Sequence, residues 1–176
     1  MAKEIERKFL VSGESWRRDA RQVTELRDGL MSYDNGRKVR VRCIGDTAVL
    51  TLKGPKSGFT RDEFEYEIPF EDAQVLLDRH CPFGQLCKTR HILSCGGFEW
   101  TVDEYHGSLD GVIIAEVELP SEDTTFALPG WLGREITDCP EYRTGNMVKR
   151  HPEAGRDRQP GRTRTAAQDQ PLQARN

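Results

Sequence analysis

Lys38-Val39-Arg40-Val41-Arg42-Cys43-Ile44-Gly45-Asp46-Thr47-Ala48-Val49-Leu50-Thr51-Leu52-Lys53 decides the fold. Its first half alternates with period two. Lys38, Arg40 and Arg42 fall on one side, and Val39, Val41 and Cys43 on the other, as in a strand with one polar and one buried face. Gly45-Asp46 supplies a tight turn. The chain then returns with Thr47, Val49, Thr51 and Lys53 against Ala48, Leu50 and Leu52. The two runs predict an antiparallel hairpin with arginines on one face and aliphatics on the other.

The same alternation recurs on both sides of the hairpin. In Ala2–Val11, Glu4, Glu6 and Lys8 share a face opposite Ile5, Arg7 and Phe9. In Arg61–Ile68, Arg61, Glu63, Glu65 and Glu67 oppose Asp62, Phe64, Tyr66 and Ile68. Leu86–Leu93 carries Lys88 and Arg90 on one parity, and Gly96-Gly97 turns the chain into Phe98–Tyr105. There Thr101, Asp103 and Tyr105 oppose Trp100 and Val102. Val112–Leu119 sets Ile114, Glu116 and Glu118 against Ile113, Ala115, Val117 and Leu119. Glu71–His80 has helical spacing, and Pro129–Arg150 reads as a short helical region packed on the strands. The predicted fold is mainly β, a closed antiparallel barrel of about eight strands with a few short packing helices.

Solvated strand faces usually mix Thr, Ser, Gln and Lys. These carry almost only Glu, Arg and Lys, and like charges repeat at i, i+2, where they repel unless a counter-ion lies between them. Paired carboxylates suit a hard divalent cation such as Mg2+ or Mn2+. Paired Arg and Lys suit phosphate oxygens. A barrel that turns both sets inward is suited to a metal–polyphosphate complex.

The 176 residues allow one domain, and a net charge of −3 gives no reason to expect nucleic acid as a partner. No run approaches the ~20 apolar residues of a membrane span. The five cysteines form no CxxC pair, and His80, His91, His106 and His151 have no partner at ligand spacing, so neither a disulfide framework nor a zinc site is expected. Together these features predict a cytoplasmic protein; oligomeric state is not readable. The expected organisation is a domain over residues 1–150 and a disordered tail over 151–176, where Leu172 is the only large aliphatic residue. Gly54–Gly58 is Gly/Pro/Lys-rich but opens no helix, and reads as a loop at the barrel mouth with Lys56 an accessory contact. Trp16, Trp100 and Trp131 read as packing residues.

Glu4-Ile5-Glu6-Arg7-Lys8 matches the ExExK signature of the CYTH domain, or triphosphate tunnel metalloenzyme, superfamily. The resemblance continues through Val39-Arg40-Val41-Arg42, Thr51-Leu52-Lys53-Gly54, Arg61-Asp62-Glu63-Phe64-Glu65, Lys88-Thr89-Arg90, Val102–Gly107 and Ala115-Glu116-Val117-Glu118-Leu119. The chain looks most like the short bacterial members, which are similar to inorganic triphosphatases. The resemblance implies metal ligation by Glu4, Glu6, Glu116 and Glu118, and phosphate binding by Lys8, Arg40, Arg42, Lys53, Lys88 and Arg90. It implies that Glu63, Glu65 and Asp103 hold a second metal or orient water. Where short members place a lid lysine after the C-terminal tyrosine, Tyr142 is followed here by Arg143. The family's Gly-Tyr-Leu is replaced by Gly29-Leu30-Met31. The implied reaction is metal-dependent hydrolysis of a small triphosphate, inorganic triphosphate first. Nucleoside and thiamine triphosphates, CYTH-type adenylate cyclisation and non-catalytic polyphosphate binding are the alternatives.

Overall fold

A computed structural model describes residues 3–150. Nine strands are present: β1 (Lys3–Val11), β2 (Ala20–Asp34), β3 (Arg37–Ile44), β4 (Thr47–Lys53), β5 (Thr60–Glu67), β6 (Gln85–Cys95), β7 (Phe98–Tyr105), β8 (Ile113–Glu118) and β9 (Leu132–Glu135). The order β5-β4-β3-β2-β6-β7-β8-β1, with β1 returning to β5, closes an eight-stranded antiparallel barrel. β1 makes the closure by dividing its length. Lys3–Ile5 pair with β5 and Glu6–Leu10 with β8, while the short β9 lies beside Phe9 and Val11.

The hairpin that decides the fold forms in the expected register, with Arg40 opposite Thr51 and Arg42 opposite Val49. Two corrections concern other segments. Ala20–Asp34, the longest strand, was not expected. It carries the centre of the sheet, pairing with β3 on one side and β6 on the other. The Pro129–Arg150 region is only partly helical, since it opens with β9 and keeps its helix, α2, for Thr144–Arg150. The helix expected over Glu71–His80 forms as α1 (Phe70–His80). The tail expected over 151–176 lies outside the described residues.

Most of the apolar core lies outside the barrel. Phe9, Trp100, Val102 and Val117 turn their outer faces onto Trp16, Leu119 and Trp131. Each such side chain taken out of water contributes ~1.5–3 kcal/mol, which holds the connecting segments down. Val41, Cys43 and Ala48 lie under Ala73 and Leu77 of α1. Gly29 permits that approach, because a Cβ there would stand 2.4 Å from Cys81 Sγ and 2.6 Å from Leu77 Cδ2. A third cluster lies inside the barrel end: Leu86, Tyr105 and Ile114 meet Ile136 and the α2 residues Met147 and Val148. It stoppers part of that end. His91 packs edge-on against Trp16 and bonds Glu104 on the outer surface, a structural role.

Candidate active site in the barrel interior

The inward positions of the strands surround a cavity of about 690 Å3. Of the predicted site residues, Glu4, Glu6, Lys8, Arg40, Arg42, Lys53, Glu63, Glu65, Lys88, Arg90, Glu116, Glu118 and Arg143 all line it. Asp103 does not. It is fully buried behind the wall, with Lys88 Nζ at 2.6 Å and Arg90 donating from Nε and Nη2, each at 2.7 Å. Both of its oxygens accept bonds from those cations.

The interior charges form two groups. In the first, Lys53 Nζ donates to Glu4 at 2.8 Å and stands 2.8 Å from Glu63. Arg61 bridges Glu4 and Glu6, reaching Glu6 at 2.8 Å. In the second, Arg42 donates to Asp28 from Nε at 2.5 Å and Nη2 at 2.9 Å. Lys88 Nζ lies 3.5 Å from the same Asp28. Lys8 bonds Glu116 and stands 3.2 Å from Glu6, tying the groups together. Arg40 donates from Nη2 to Thr51 and Glu65, but its buried Nε has no acceptor among the described residues.

Burial disfavours every one of these charges, and the partners decide which survive. Burial opposes the Asp28 carboxylate, but Arg42 and Lys88 hold its pKa well below the usual range. Glu116 is held low against burial by Lys8, Arg90 and Lys88. Glu4 is likewise held low against burial by Lys53, a hydrogen bond with Glu63, and Arg61. Its neighbour Glu63 goes the other way, raised to about 7 by burial and the hydrogen bond it shares with Glu4. The pair therefore shares a proton near neutrality. Glu118 is raised by burial and by the charges of Glu4 and Glu6, and makes no hydrogen bond or ion pair among the described residues. Lys88 is lowered to about 8, burial outweighing Asp103 and Asp28. Lys38 falls to about 7 through burial and the nearby Arg61, Lys53 and Lys8.

Among the described residues, no three His, Cys, Asp or Glu side chains converge into a ready-made metal cage. The donors nevertheless fit a hard cation. Glu4 and Glu6 repel Glu118, which makes no ion pair among the described residues, and Arg61 occupies the space between Glu4 and Glu6 as a counter-ion. These carboxylates could hold a divalent ion together with substrate oxygens once Arg61 turns aside.

Four charged cavity residues were given no site role by the sequence reading: Asp28, Arg61, Lys38 and Glu99. Arg61 and Lys38 appeared only as members of charged strand faces. Asp28 lies on the unrecognised β2, and the available signal was Asn35-Gly36, a hairpin dipeptide with both residues at positive φ (45° and 82°).

The CYTH domain profile matches residues 2–145. The inorganic triphosphatase of Acetivibrio thermocellus is 43% identical over 149 residues, which is 85% of this chain and 95% of the relative. Among solved structures, the inorganic triphosphatase NE1496 is 29% identical with a TM-score of 0.61, covering 85% of this chain and 96% of its own. A protein from Pyrococcus furiosus, 20% identical with a TM-score of 0.55 over 68% of this chain and 80% of its own, shares the fold.

Proposed function

Because this chain belongs to the CYTH domain family, we propose that its barrel hydrolyses inorganic triphosphate to diphosphate and orthophosphate, with Mg2+ or Mn2+ as cofactor. The observation that carries this reading is the cavity itself. It combines a buried Arg40 Nε that has no acceptor among the described residues with a carboxylate, Glu118, that makes no ion pair among them. A polyanion accompanied by a divalent cation satisfies both.

In this mechanism Arg40, Arg42, Lys53, Lys88 and Arg90 hold the phosphoryl oxygens and the charge growing on the leaving diphosphate. A divalent ion bound by Glu4, Glu6, Glu116 and Glu118 would neutralise phosphate charge and acidify water. Water adds its oxygen to the terminal phosphorus as the bridging P–O bond breaks, and its proton passes to a carboxylate. Glu63 suits that transfer, since a pKa of about 7 places it near the optimum for a general base. Glu65, bonded to Arg40, stands ready to orient the water.

The bare triphosphate is favoured over nucleoside or thiamine triphosphate, and over cyclisation, by the scarcity of stacking surfaces. Tyr33 and Tyr142 are the aromatic residues on the described cavity wall, and Lys149 sits over the Tyr33 ring at 4.5 Å. The carboxylates argue against a purely binding role. The free thiols of Cys43, Cys81, Cys87, Cys95 and Cys139 fit a cytoplasmic setting. Within the described residues no helix is long and apolar enough to cross a membrane, and the interior site offers nothing to nucleic acid. Residues 1–150 form the catalytic unit in this reading, and 151–176 a tail. Phosphate release from tripolyphosphate, ATP and thiamine triphosphate, with chelator or with Mg2+ or Mn2+, tests it. Tripolyphosphate should lead and chelator should abolish release; full activity in EDTA, or a preference for ATP, refutes it.

A further inference from the structure

Strand register gives the cavity two unlike ends. β3 starts at Arg37 and Lys38 opposite Lys53, the last residue of β4. The Asn35-Gly36 turn and loop 54–59 therefore share one end, where a Cβ added at Gly36 would stand 3.3 Å from Pro55. Asp138 acts electrostatically on Lys56, so the segment after β9 borders the same opening. The other end receives the start of β7 with Glu99, the end of β8 with Glu118, and Glu65 of β5.

The first end is cationic. Arg143 is exposed, Lys56 half-buried and Lys38 deeper, and all three line the cavity. Lys38 and Lys56 make no hydrogen bond or ion pair among the described residues. That sets them apart from Lys8, Lys53 and Lys88, each held by carboxylates. Beyond Lys38 lies Arg40 with its acceptor-less Nε. The second end offers acids instead, and Glu118 is unpaired there.

We propose that Lys38 and Lys56 form a capture subsite for a phosphate dianion at this cationic end of the cavity, next to Arg40. The assignment rests on the triphosphate reading for the identity of the ligand. Two amines with no ion pair among the described residues attract a polyanion and speed its capture. Glu6 acts on both, and Asp138 on Lys56, only through the field and not through a bond, so their replacement should leave the chemical step nearly unchanged. Burial and its cationic neighbours weaken the charge on Lys38 in the empty cavity, and an arriving phosphate restores it.

The test is the double variant Lys38→Gln/Lys56→Gln in the full chain, assayed on tripolyphosphate with Mg2+ at low and high ionic strength. Its kcat/KM should drop about 10-fold at low salt with kcat nearly unchanged, and the deficit should shrink in high salt, as electrostatic attraction through water does. Lys38→Arg/Lys56→Arg should recover the loss. Unchanged kcat/KM, or a fall in kcat equal to the fall in kcat/KM, overturns the subsite. Should the wild type release no phosphate, the functional reading fails instead, and calorimetry of tripolyphosphate on metal-free protein decides the subsite alone. Binding about 10-fold weaker in the double variant supports it, and equal affinity overturns it. Neither lysine supports the fold through a bond, so both variants should melt at or above the wild type. The single Lys56→Gln, at a half-buried loop position, gives a second reading of the same loss.

Discussion

Replacing Asp28 by Asn tests whether the interior charges are organised as the structure indicates. Asp28 is 1% exposed and accepts two hydrogen bonds from Arg42, with Lys88 Nζ 3.5 Å away. The amide oxygen keeps one Arg42 bond, while its NH2 turns the other into a donor facing a donor. One charge-assisted bond is worth ~1.5–3 kcal/mol, and the charge facing Lys88 is also removed. The loss should reach about 3 kcal/mol, at the lower edge of what breaking a buried pair costs. For a chain of this size that lowers Tm by about 6–12 °C. The sign with pH follows from linkage. Asp28 has a depressed folded pKa, so its contribution is present above the unfolded carboxylate range and lost as pH falls through the folded value. The gap between variant and wild type should therefore close in strong acid. The assay is thermal melting in EDTA with and without tripolyphosphate. Phosphate oxygens can supply the negative charge that Asn lacks, so the ligand should raise the variant's Tm more than the wild type's. kcat should still fall about 10-fold or more, because Arg42 is no longer aimed by its fork. A variant melting within about 2 °C of wild type, with the same ligand increment, would show that Arg42 and Lys88 do not depend on Asp28.

Four further outcomes are expected. Arg40→Ala should reduce kcat/KM about 10- to 150-fold by loss of a charge-assisted phosphate contact, with the metal requirement held or eased; Glu118→Ala should raise the metal concentration for half-activity and lower kcat at saturating substrate, and a normal metal titration for Glu118→Ala would remove that ligand. Triphosphate binding to metal-free protein at pH 8 should take up a proton at Lys38, which has a pKa of about 7 in the empty cavity and is recharged by phosphate; calorimetry in buffers of different ionisation enthalpy reads this, and uptake that persists in Lys38→Gln contradicts it. Deleting residues 151–176 should leave Tm and turnover nearly unchanged, and a large drop in either would show that the tail docks on the barrel.

The barrel was legible because seven of its strands announce themselves by parity: a charged inner face against an apolar outer one is a strong period-two signal. β2 gives no such signal. Its buried parity runs Leu26, Asp28, Leu30, and its other parity runs Glu25, Arg27, Gly29, so neither face is uniformly apolar or charged. Tertiary context decides that strand. β3 and β6 pair along both of its edges, and α1 covers it where Gly29 allows. With β2 unrecognised, Asp28 could not be placed opposite Arg42. Asp103 shows the converse limit. Parity correctly sends it inward, but parity carries no depth, and two cations on the adjacent β6 draw it behind the wall.

The ion pairs of the empty cavity explain why a site for a triply phosphorylated anion is also rich in acid. Without ligands the deeper cations must be compensated by the chain itself, since unpaired buried charges cost several kcal/mol each. Arg42 therefore takes Asp28, Lys8 takes Glu116, and Arg61 spans Glu4 and Glu6. Binding then becomes an exchange of partners. On the proposed reading, phosphate oxygens would replace carboxylates at the cations, and the released carboxylates would be free to hold the dication. Each half of the exchange is weaker alone: phosphate without metal leaves Glu4 and Glu6 beside Glu118, and metal without phosphate displaces Arg61. Each ligand thus prepares the place of the other, and by reciprocity the metal must favour triphosphate as strongly as triphosphate favours the metal. Specificity for the metal–triphosphate complex follows from this shared dependence. Lys38, Lys56 and Glu118, which make no ion pair among the described residues, are on this reading the groups where each partner would first gain hold.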